Sequence, residues 1–530
     1  MDKSAESAPG SHVSTSIVPG AAILSPGGVE PCALVVFGAT GDLAKRKLFP
    51  ALYNLHVGGH LPKGVQIVAL GRRTPDEATF LAMQHEAVEK FSRTKPIDQA
   101  KWAELESRIH YLKGDVDDEG TFEALAAKLK ELDAPQGDHP GTGGNRIFFF
   151  SMPPTSFTTI LGGLKKADLL HDENEPGGPY SRLMIEKPFG RDLASAQELN
   201  RQAAEYVSES QIYRVDHYLG KETVQNILVL RFANVMFEPL WNRNYVEHVE
   251  ITASEELGME GRGAFYDEVG VLRDVVQNHM LEMLALAAME PPVSFKAEDV
   301  RDQKGILLRA VRPIHESEVA TDVVRAQYKG YRDEEKVAKD SKTPTYAAAR
   351  FMIDNWRWHG VPFYLRAGKK LGARKTEIAI HFRAVPLCLF GRDEVCQRLE
   401  QNVLVLRIQP DEGASFSFMC KKPGEDLMVS QVTMDFSYEK AFAKQPPEAY
   451  ERIFLDCMRG DRNLFARKDA VELAWSLITP ILSAWEKDST IPIYEYEAGG
   501  DGPHEAEKLA RELHHVLRPI AAPHPTEKKA

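Results

Sequence analysis

Cysteine is scarce in this chain. Cys32, Cys388, Cys396, Cys420 and Cys457 are odd in number, widely spaced and without a CxxC pair. They suggest neither a disulfide framework nor a zinc motif, and reduced, mostly buried thiols are expected. No uninterrupted apolar run is long enough to span a bilayer. The apolar stretch from Ile17 to Leu24 is broken by Pro19 and Gly20 and preceded by Asp2 and Glu6, which makes a poor signal peptide. Cytoplasmic residence is therefore expected. Excess positive charge is missing as well: the formal net charge of -12 repels nucleic acid and anionic membranes, so neither is expected as a partner. An anionic substrate has to meet a local group of lysines, arginines or histidines. Internal repeats and coiled-coil heptads are absent too.

What is present is ordinary globular material, with 43% hydrophobic and 27% charged residues over 530 positions. That length calls for at least two domains. Residues 1–30 and 519–530 read as loose tails. Cys32 to Phe37 reads as a strand ending in glycine, Leu43 to Val57 as a helix and Val65 to Leu70 as a second strand, a βαβ unit. The pattern goes on with a helix at Phe122 to Leu132 and strands at Arg146 to Phe150 and Arg182 to Ile185. A Rossmann-type doubly wound domain over 31–215 follows. From 216 to 518 the texture changes. A helix at Val224 to Phe232 and strand-like runs at Val246 to Ala253, Thr376 to Phe382, Val403 to Gln409 and Ser415 to Met419 predict a larger α+β domain with a mainly antiparallel sheet. A last helix is expected at Ala470 to Trp485.

Gly38-Ala39-Thr40-Gly41-Asp42-Leu43-Ala44 lies where the first strand gives way to a helix, a place where backbone N–H groups and a helix N-terminus receive a pyrophosphate. The spacing departs from GxGxxG, with Ala44 in the last small position. The strand after the helix ends in Gly71-Arg72-Arg73, where an NAD site carries an acid for the ribose 2′-hydroxyl. A guanidinium there suits a 2′-phosphate and favours NADP. Lys45, Arg46 and Lys47 add positive potential.

Two further stretches carry chemistry. Tyr213 to Lys221, YRVDHYLGK, packs acid, imidazole, phenol and amine together. If the chain turns from strand to helix here, His217 and Lys221, four apart, share a face, while Asp216 is free to orient another imidazole. In Gly261 to His279, Asp274 and His279 are five apart, not quite in register on an α-helix, so the two are expected to border one cavity without touching.

GATGDLAKRKLFPALYNL, IEKPFG, YRVDHYLGKE, RDVVQNH, GVPFYLRAGKKL and YERIFLDCMRGDRNLF occur in this order between Gly38 and Phe465, within a similarity that runs from about Leu34 to Trp485. Together they resemble the glucose-6-phosphate dehydrogenase family. That resemblance implies oxidation of glucose 6-phosphate at C1 to the 6-phospho-1,5-lactone with reduction of NADP, the first oxidative step of the pentose phosphate pathway. It makes His279 the general base and Asp216 its partner. It puts His217, Tyr218 and Lys221 on the substrate phosphate, and Glu255, Asp274, Lys187 and Lys369 on or near the sugar hydroxyls, with Arg374 as a further basic residue. For the coenzyme it implies Gly38, Ala39, Thr40, Gly41, Asp42, Leu43, Ala44, Lys45, Arg72, Asp115, Val116 and Lys187. No metal is implied, because the oxidised carbon is a hemiacetal. A homodimer or homotetramer is expected, and Arg366 and Lys375 resemble part of a second NADP site that some relatives carry. Two other readings stay open: a sugar-phosphate epimerase, whose usual Tyr-x-x-x-Lys pair is not evident, and an NADP-sensing regulatory protein with the same fold.

Overall fold

The computed structural model describes residues 28–521, except 136, 138, 172–176, 390–398, 425–427 and 443–445. Most of both tails, and Cys396, lie outside the described residues.

The first sheet is built from β1 (Cys32–Phe37), β2 (Val65–Gly71), β3 (Ile109–Lys113), β4 (Arg146–Phe150), β5 (Ser181–Glu186) and β6 (Ile212–Val215). Strands β1, β2 and β4 are buried throughout, as unbroken apolar runs must be when helices cover both faces. Alternate side chains of β1 enter two separate cores, Ala33, Val35 and Phe37 one and Cys32, Leu34 and Val36 the other. The order is β3-β2-β1-β4-β5-β6, all parallel. It reverses between β1 and β4, and ligands of doubly wound sheets bind in the crevice at that switch point.

The second sheet takes β7 (Val246–Ser254), β8 (Val323–Tyr328), β9 (Tyr346–Met352), β10 (Pro362–Gly368), β11 (Lys375–Phe382), β12 (Val403–Gln409), β13 (Gly413–Lys421) and β14 (Val429–Ser437). After β15 (Phe465–Ala466) comes its last strand, β16 (Tyr494–Tyr496). The nine strands run β14-β13-β12-β11-β7-β10-β9-β8-β16. They pair antiparallel except at β7/β10 and β8/β16, so the expected class, Rossmann-type domain followed by α+β, is the one observed. One face of this sheet, with Val249, Ile251, Ile378, Ile380 and Leu404, packs into the main core beside the helices Leu281–Ala288 and Lys468–Lys487.

The chain does not stay in the second unit after residue 215. Strand β15 pairs with β6 at the edge of the first sheet, and the helix Ala449–Arg459 lends Ile453, Phe454 and Cys457 to the first unit's core. A cut in the linear sequence cannot express that return. Nor does the chain loosen at 519, since Ile520 is buried and the N–H groups of Ile520 and Ala521 both donate to Asp501 Oδ1 (2.7 and 2.6 Å). The cysteine reading is corrected at one position: Cys388 is disulfide-bonded, whereas Cys32, Cys420 and Cys457 are free. Spacing excludes a CxxC pair, but it does not reveal a crosslink closed by the fold.

Candidate active site

The glycine loop caps β1 at the switch point. Gly38 has φ of 80°, and a Cβ there would stand 2.5 Å from the carbonyl oxygen of Ser151 at the end of β4, so only glycine fits. Gly41 N–H closes the turn on Gly38 O (2.9 Å), and Lys45 N–H bonds Gly41 O (3.2 Å). Ala39, Ala44 and Val116 are buried, so what they offer a ligand is backbone. Gly71 abuts Thr40, whose Cγ2 would lie 2.9 Å from an added Cβ, and Arg72 therefore leaves β2 beside the loop. Its side chain is 66% exposed and donates to Asp115 Oδ2 (2.9 Å). That hydrogen bond holds the Asp115 carboxyl below its usual range. A backbone cradle that excludes Cβ, with an exposed guanidinium beside it, fits a phosphorylated dinucleotide.

Lys187 follows β5 and Asp216 follows β6, so both stand at the carboxyl ends of parallel strands, in the same crevice. Asp216 Oδ1 accepts the N–H of Tyr218 (2.9 Å) and lies 2.5 Å from His279 Nδ1. Both side chains are almost fully buried. Lys187 Nζ donates to His279 Nε2 (3.0 Å), to Asp274 O (2.7 Å) and to Asp274 Oδ1 (3.2 Å). An ammonium only donates, so Nε2 accepts and the ring proton sits on Nδ1, facing Asp216. Burial raises the Asp216 carboxyl. Burial first, then the charge of Lys187, drives the His279 imidazolium well below its ordinary range. His279 is thus neutral, in one tautomer.

Asp274 and His279 are closer partners than an α-helix allows. Leu272–Met280 is a π-helix, and its i→i+5 hydrogen bonding brings residues five apart onto one face. The kink before it is at Gly270, with φ of 66°, a left-handed value that glycine adopts without steric cost. The expectation that the two residues border a cavity without direct contact needs one addition: a single ammonium ties them together.

On the other side of His279 the ring of Tyr218 lies stacked, centroids 4.2 Å apart at 22°, and His217 meets the same imidazole edge-on at 4.5 Å. Lys221 Nζ stands 3.8 Å from the centroid of the Tyr218 ring and donates to Gln409 Oε1. Gln409 Nε2 in turn donates to the hydroxyls of Tyr218 and Thr376 (both 3.1 Å). A cavity of about 480 Å3 opens here, lined by Lys47, His217, Lys221, Arg374, Gln409 and Glu448 among others. Burial, followed by the charge of Arg374, lowers Lys221 to about 7. Lys369 Nζ bonds Glu255 Oε2 (2.8 Å) and lies over the Tyr266 ring at 5.0 Å. A second cavity of about 470 Å3, near Gly270, Arg273 and Arg325, is lined by none of the candidate residues.

The structure therefore brings Asp216, His217, Tyr218, Lys221, His279, Lys187 and Asp274 into one connected group, and puts Lys369 with Glu255 and Arg72 with Asp115. Gln409 and Thr376 were not expected, although Gln409 ends a legible strand. Glu186 was missed too; it accepts from Tyr450 Oη (2.8 Å), and burial pushes it up to about 7. Arg366 and Lys375 are held by the chain's own C-terminal segment, Arg366 by Arg518 O (2.8 Å) and Lys375 by Pro519 O (2.7 Å).

Two family models match in tandem, the glucose-6-phosphate dehydrogenase NAD binding domain over residues 35–226 and the C-terminal domain over residues 228–517. The chain belongs to the glucose-6-phosphate dehydrogenase family. A glucose-6-phosphate 1-dehydrogenase of Chlamydia pneumoniae is 44% identical over 94% of this chain and 98% of the relative. One of Treponema pallidum is 44% identical over 92% and 94%. Among solved structures, a glucose-6-phosphate dehydrogenase in complex with its substrate glucose 6-phosphate superposes with a TM-score of 0.83 at 34% identity, covering 93% of this chain and all of the other. This chain is an NADP-dependent oxidoreductase of that family, and its reaction is the oxidation of glucose 6-phosphate. None of these relatives is named as an epimerase or a regulatory protein. No described helix is long and apolar enough to cross a membrane.

Proposed function

We propose that His279 takes the proton of the C1 hydroxyl of glucose 6-phosphate through Nε2, with Asp216 as its partner. The observation that carries this is the tautomer: Nδ1–H faces a carboxylate at 2.5 Å and the Nε2 lone pair faces the cleft side occupied by Lys187. Asp216 fixes the ring and stabilises the imidazolium that forms as the proton arrives. Lys187 uses its donors on Asp274 and His279 in the substrate-free chain. An incoming hydroxyl takes the place of one of those bonds, leaving Lys187 in hydrogen-bond reach of both substrate and base. Glu255 and Lys369 supply an acceptor and a donor for further sugar hydroxyls.

The phosphate goes to His217, Tyr218, Lys221 and Arg374. Lys221 is the anchor, because among the described residues its buried amine has no carboxylate partner within bonding distance and it gains most from an anion. The coenzyme accepts the hydride that leaves C1. Gly38 to Lys45 form the cradle for its pyrophosphate, with N–H groups such as those of Thr40 and Asp42 as the donors, since those of Gly38 and Ala39 donate to Leu70 O and those of Gly41 and Lys45 are bonded within the turn; Arg72 takes the 2′-phosphate in place of Asp115, and Asp115 and Val116 border the adenosine side. We place the protein in the cytoplasm, as a homodimer or homotetramer. The exposure of Met428, Val432 and Met434 on and beside the edge strand β14 supports assembly there.

The test is absorbance of the reduced nicotinamide with each sugar and coenzyme. Glucose 6-phosphate with NADP is expected to give the highest kcat/KM. Equal turnover of glucose and its 6-phosphate would overturn the phosphate assignment.

A further inference from the structure

The face of the nine-stranded sheet turned away from the main core carries a cluster that the reaction does not use. His248 and Glu250 are two apart on β7, and His381 stands directly opposite His248 on β11. Side chains two apart on a strand share a face, and opposed residues of an antiparallel pair have Cβ atoms ~4.5–5.5 Å apart. His-x-Glu on one strand and a histidine across from it therefore aim three donor groups at one point. All three side chains are buried, with residue exposures of 2%, 1% and 7%.

The atoms are arranged accordingly. Glu250 Oε1 lies 2.9 Å from His381 Nε2 and 3.9 Å from His248 Nε2, and the three donor atoms fall within 4.8 Å of one another. The other carboxylate oxygen, Oε2, accepts from Arg366 (3.0 Å), and the N–H of Arg518 reaches both oxygens (3.1 Å each). Both ring nitrogens of His248 and the Nε2 of His381 are buried without a well-formed hydrogen bond, although carboxylates face all three, Glu247 Oε2 at 3.5 Å from His248 Nδ1 and Glu250 on the other two. Buried polar atoms left unpaired in this number call for a ligand.

We propose that His248, Glu250 and His381 form a binding site for one divalent transition-metal ion, zinc by its donor chemistry, beneath the C-terminal segment. Two imidazoles and a carboxylate are a zinc donor set, with water in the fourth position. Bonds of ~2.0–2.1 Å in a tetrahedron put donor atoms about 3.3 Å apart. The imidazoles of His248 and His381, stacked at 4.0 Å and 15°, fan about the ion by side-chain rotation. The C-terminal segment is already in place: His515 stacks on His248 at 4.2 Å, its Nδ1 bonded to Tyr364 Oη (2.9 Å), and Arg518 contacts Glu250. The two strands supplying these ligands are far apart in sequence, so no spacing motif announces the site.

The test uses full-length, tag-free protein, stripped with a chelator and titrated with Co2+ as a spectroscopic probe, then with Zn2+. The proposal expects about one Co2+ per chain, visible d–d bands of a four-coordinate site, displacement by Zn2+, and a higher Tm with Zn2+ present. Affinity falls as pH drops through the imidazole range, because protons compete for the same lone pairs. His381→Gln and His248→Gln are each expected to weaken binding by more than the ~10–100-fold typical of losing an outer-shell partner. His279→Asn is expected to leave it unchanged. Absence of Co2+ bands in the wild type would overturn the proposal without any variant. So would bands that survive His381→Gln but vanish in His279→Asn, since the ion would then sit at Asp216, His217 and His279.

Discussion

Asp274 and His279, five residues apart, are gripped by one ammonium group, that of Lys187, at 3.2 Å from the carboxylate and 3.0 Å from the imidazole. The contact places a positive charge against the atom that has to receive a proton. Like charge lowers an imidazole's pKa, in the same direction as burial. The acid limb of activity that belongs to this base is therefore expected below the ordinary imidazole range of ~6.5.

Lys187→Met removes that charge. The acid limb of kcat/KM is then expected to move to higher pH, accompanied by a fall in kcat. The substrate phosphate also ionises near pH ~6, but it does so equally for both proteins, so the difference between the two profiles isolates the enzyme group. An unmoved or lower limb would show that Lys187 does not act on the base.

Asp216→Asn keeps the shape but loses the charge. The amide oxygen can still accept Nδ1–H and the N–H of Tyr218, as Asp216 Oδ1 does, so the tautomer is kept, but the negative charge that stabilises the imidazolium is gone. A fall in kcat of ~10²–10⁴-fold is expected, with coenzyme affinity preserved in a fluorescence titration. Turnover close to wild type would remove Asp216 from the mechanism.

How much of this was legible depends on which physical signal each element carries. Arg146–Phe150 and Val403–Gln409 read directly as strands because they are short apolar runs. The strand Ile109–Lys113, IHYLK, is amphipathic and only partly buried, and it was not foreseen. The partners of the site were legible from YRVDHYLGKE and RDVVQNH. Their geometry was not, because α-helical spacing separates Asp274 from His279 and a π-helix unites them. Tertiary neighbours such as Gln409 and Thr376 carry no local signature; they reach Tyr218 only because β11 and β12 pair.

Lys221 gives a prediction about protons. Free, it is lowered to about 7 by burial and by Arg374; a bound phosphate dianion raises it again. Binding of glucose 6-phosphate at pH 8 is therefore expected to take up protons, measurable by calorimetry in buffers of different ionisation enthalpy, and KM is expected to rise between pH 7 and 9. Lys221→Ala abolishes the uptake and raises KM by ~10–150-fold, corresponding to roughly 1.5–3 kcal/mol for a charge-assisted contact. Proton release on binding would contradict the assignment.

Arg72 sets the coenzyme preference. Its guanidinium is exposed and bonded only to Asp115 among the described residues, and the proposal has it exchange that partner for a 2′-phosphate. Arg72→Ala is expected to raise KM for NADP by ~10–150-fold while changing KM for NAD little. Equal effects on the two coenzymes would place the 2′-phosphate elsewhere.

The most direct test of the account is the steady-state rate of His279→Asn with saturating glucose 6-phosphate and NADP. An asparagine cannot take the C1 hydroxyl proton, so kcat is expected to drop by ~10²–10⁴-fold with KM for the sugar phosphate little changed. A variant that turns over within a few-fold of wild type would contradict it.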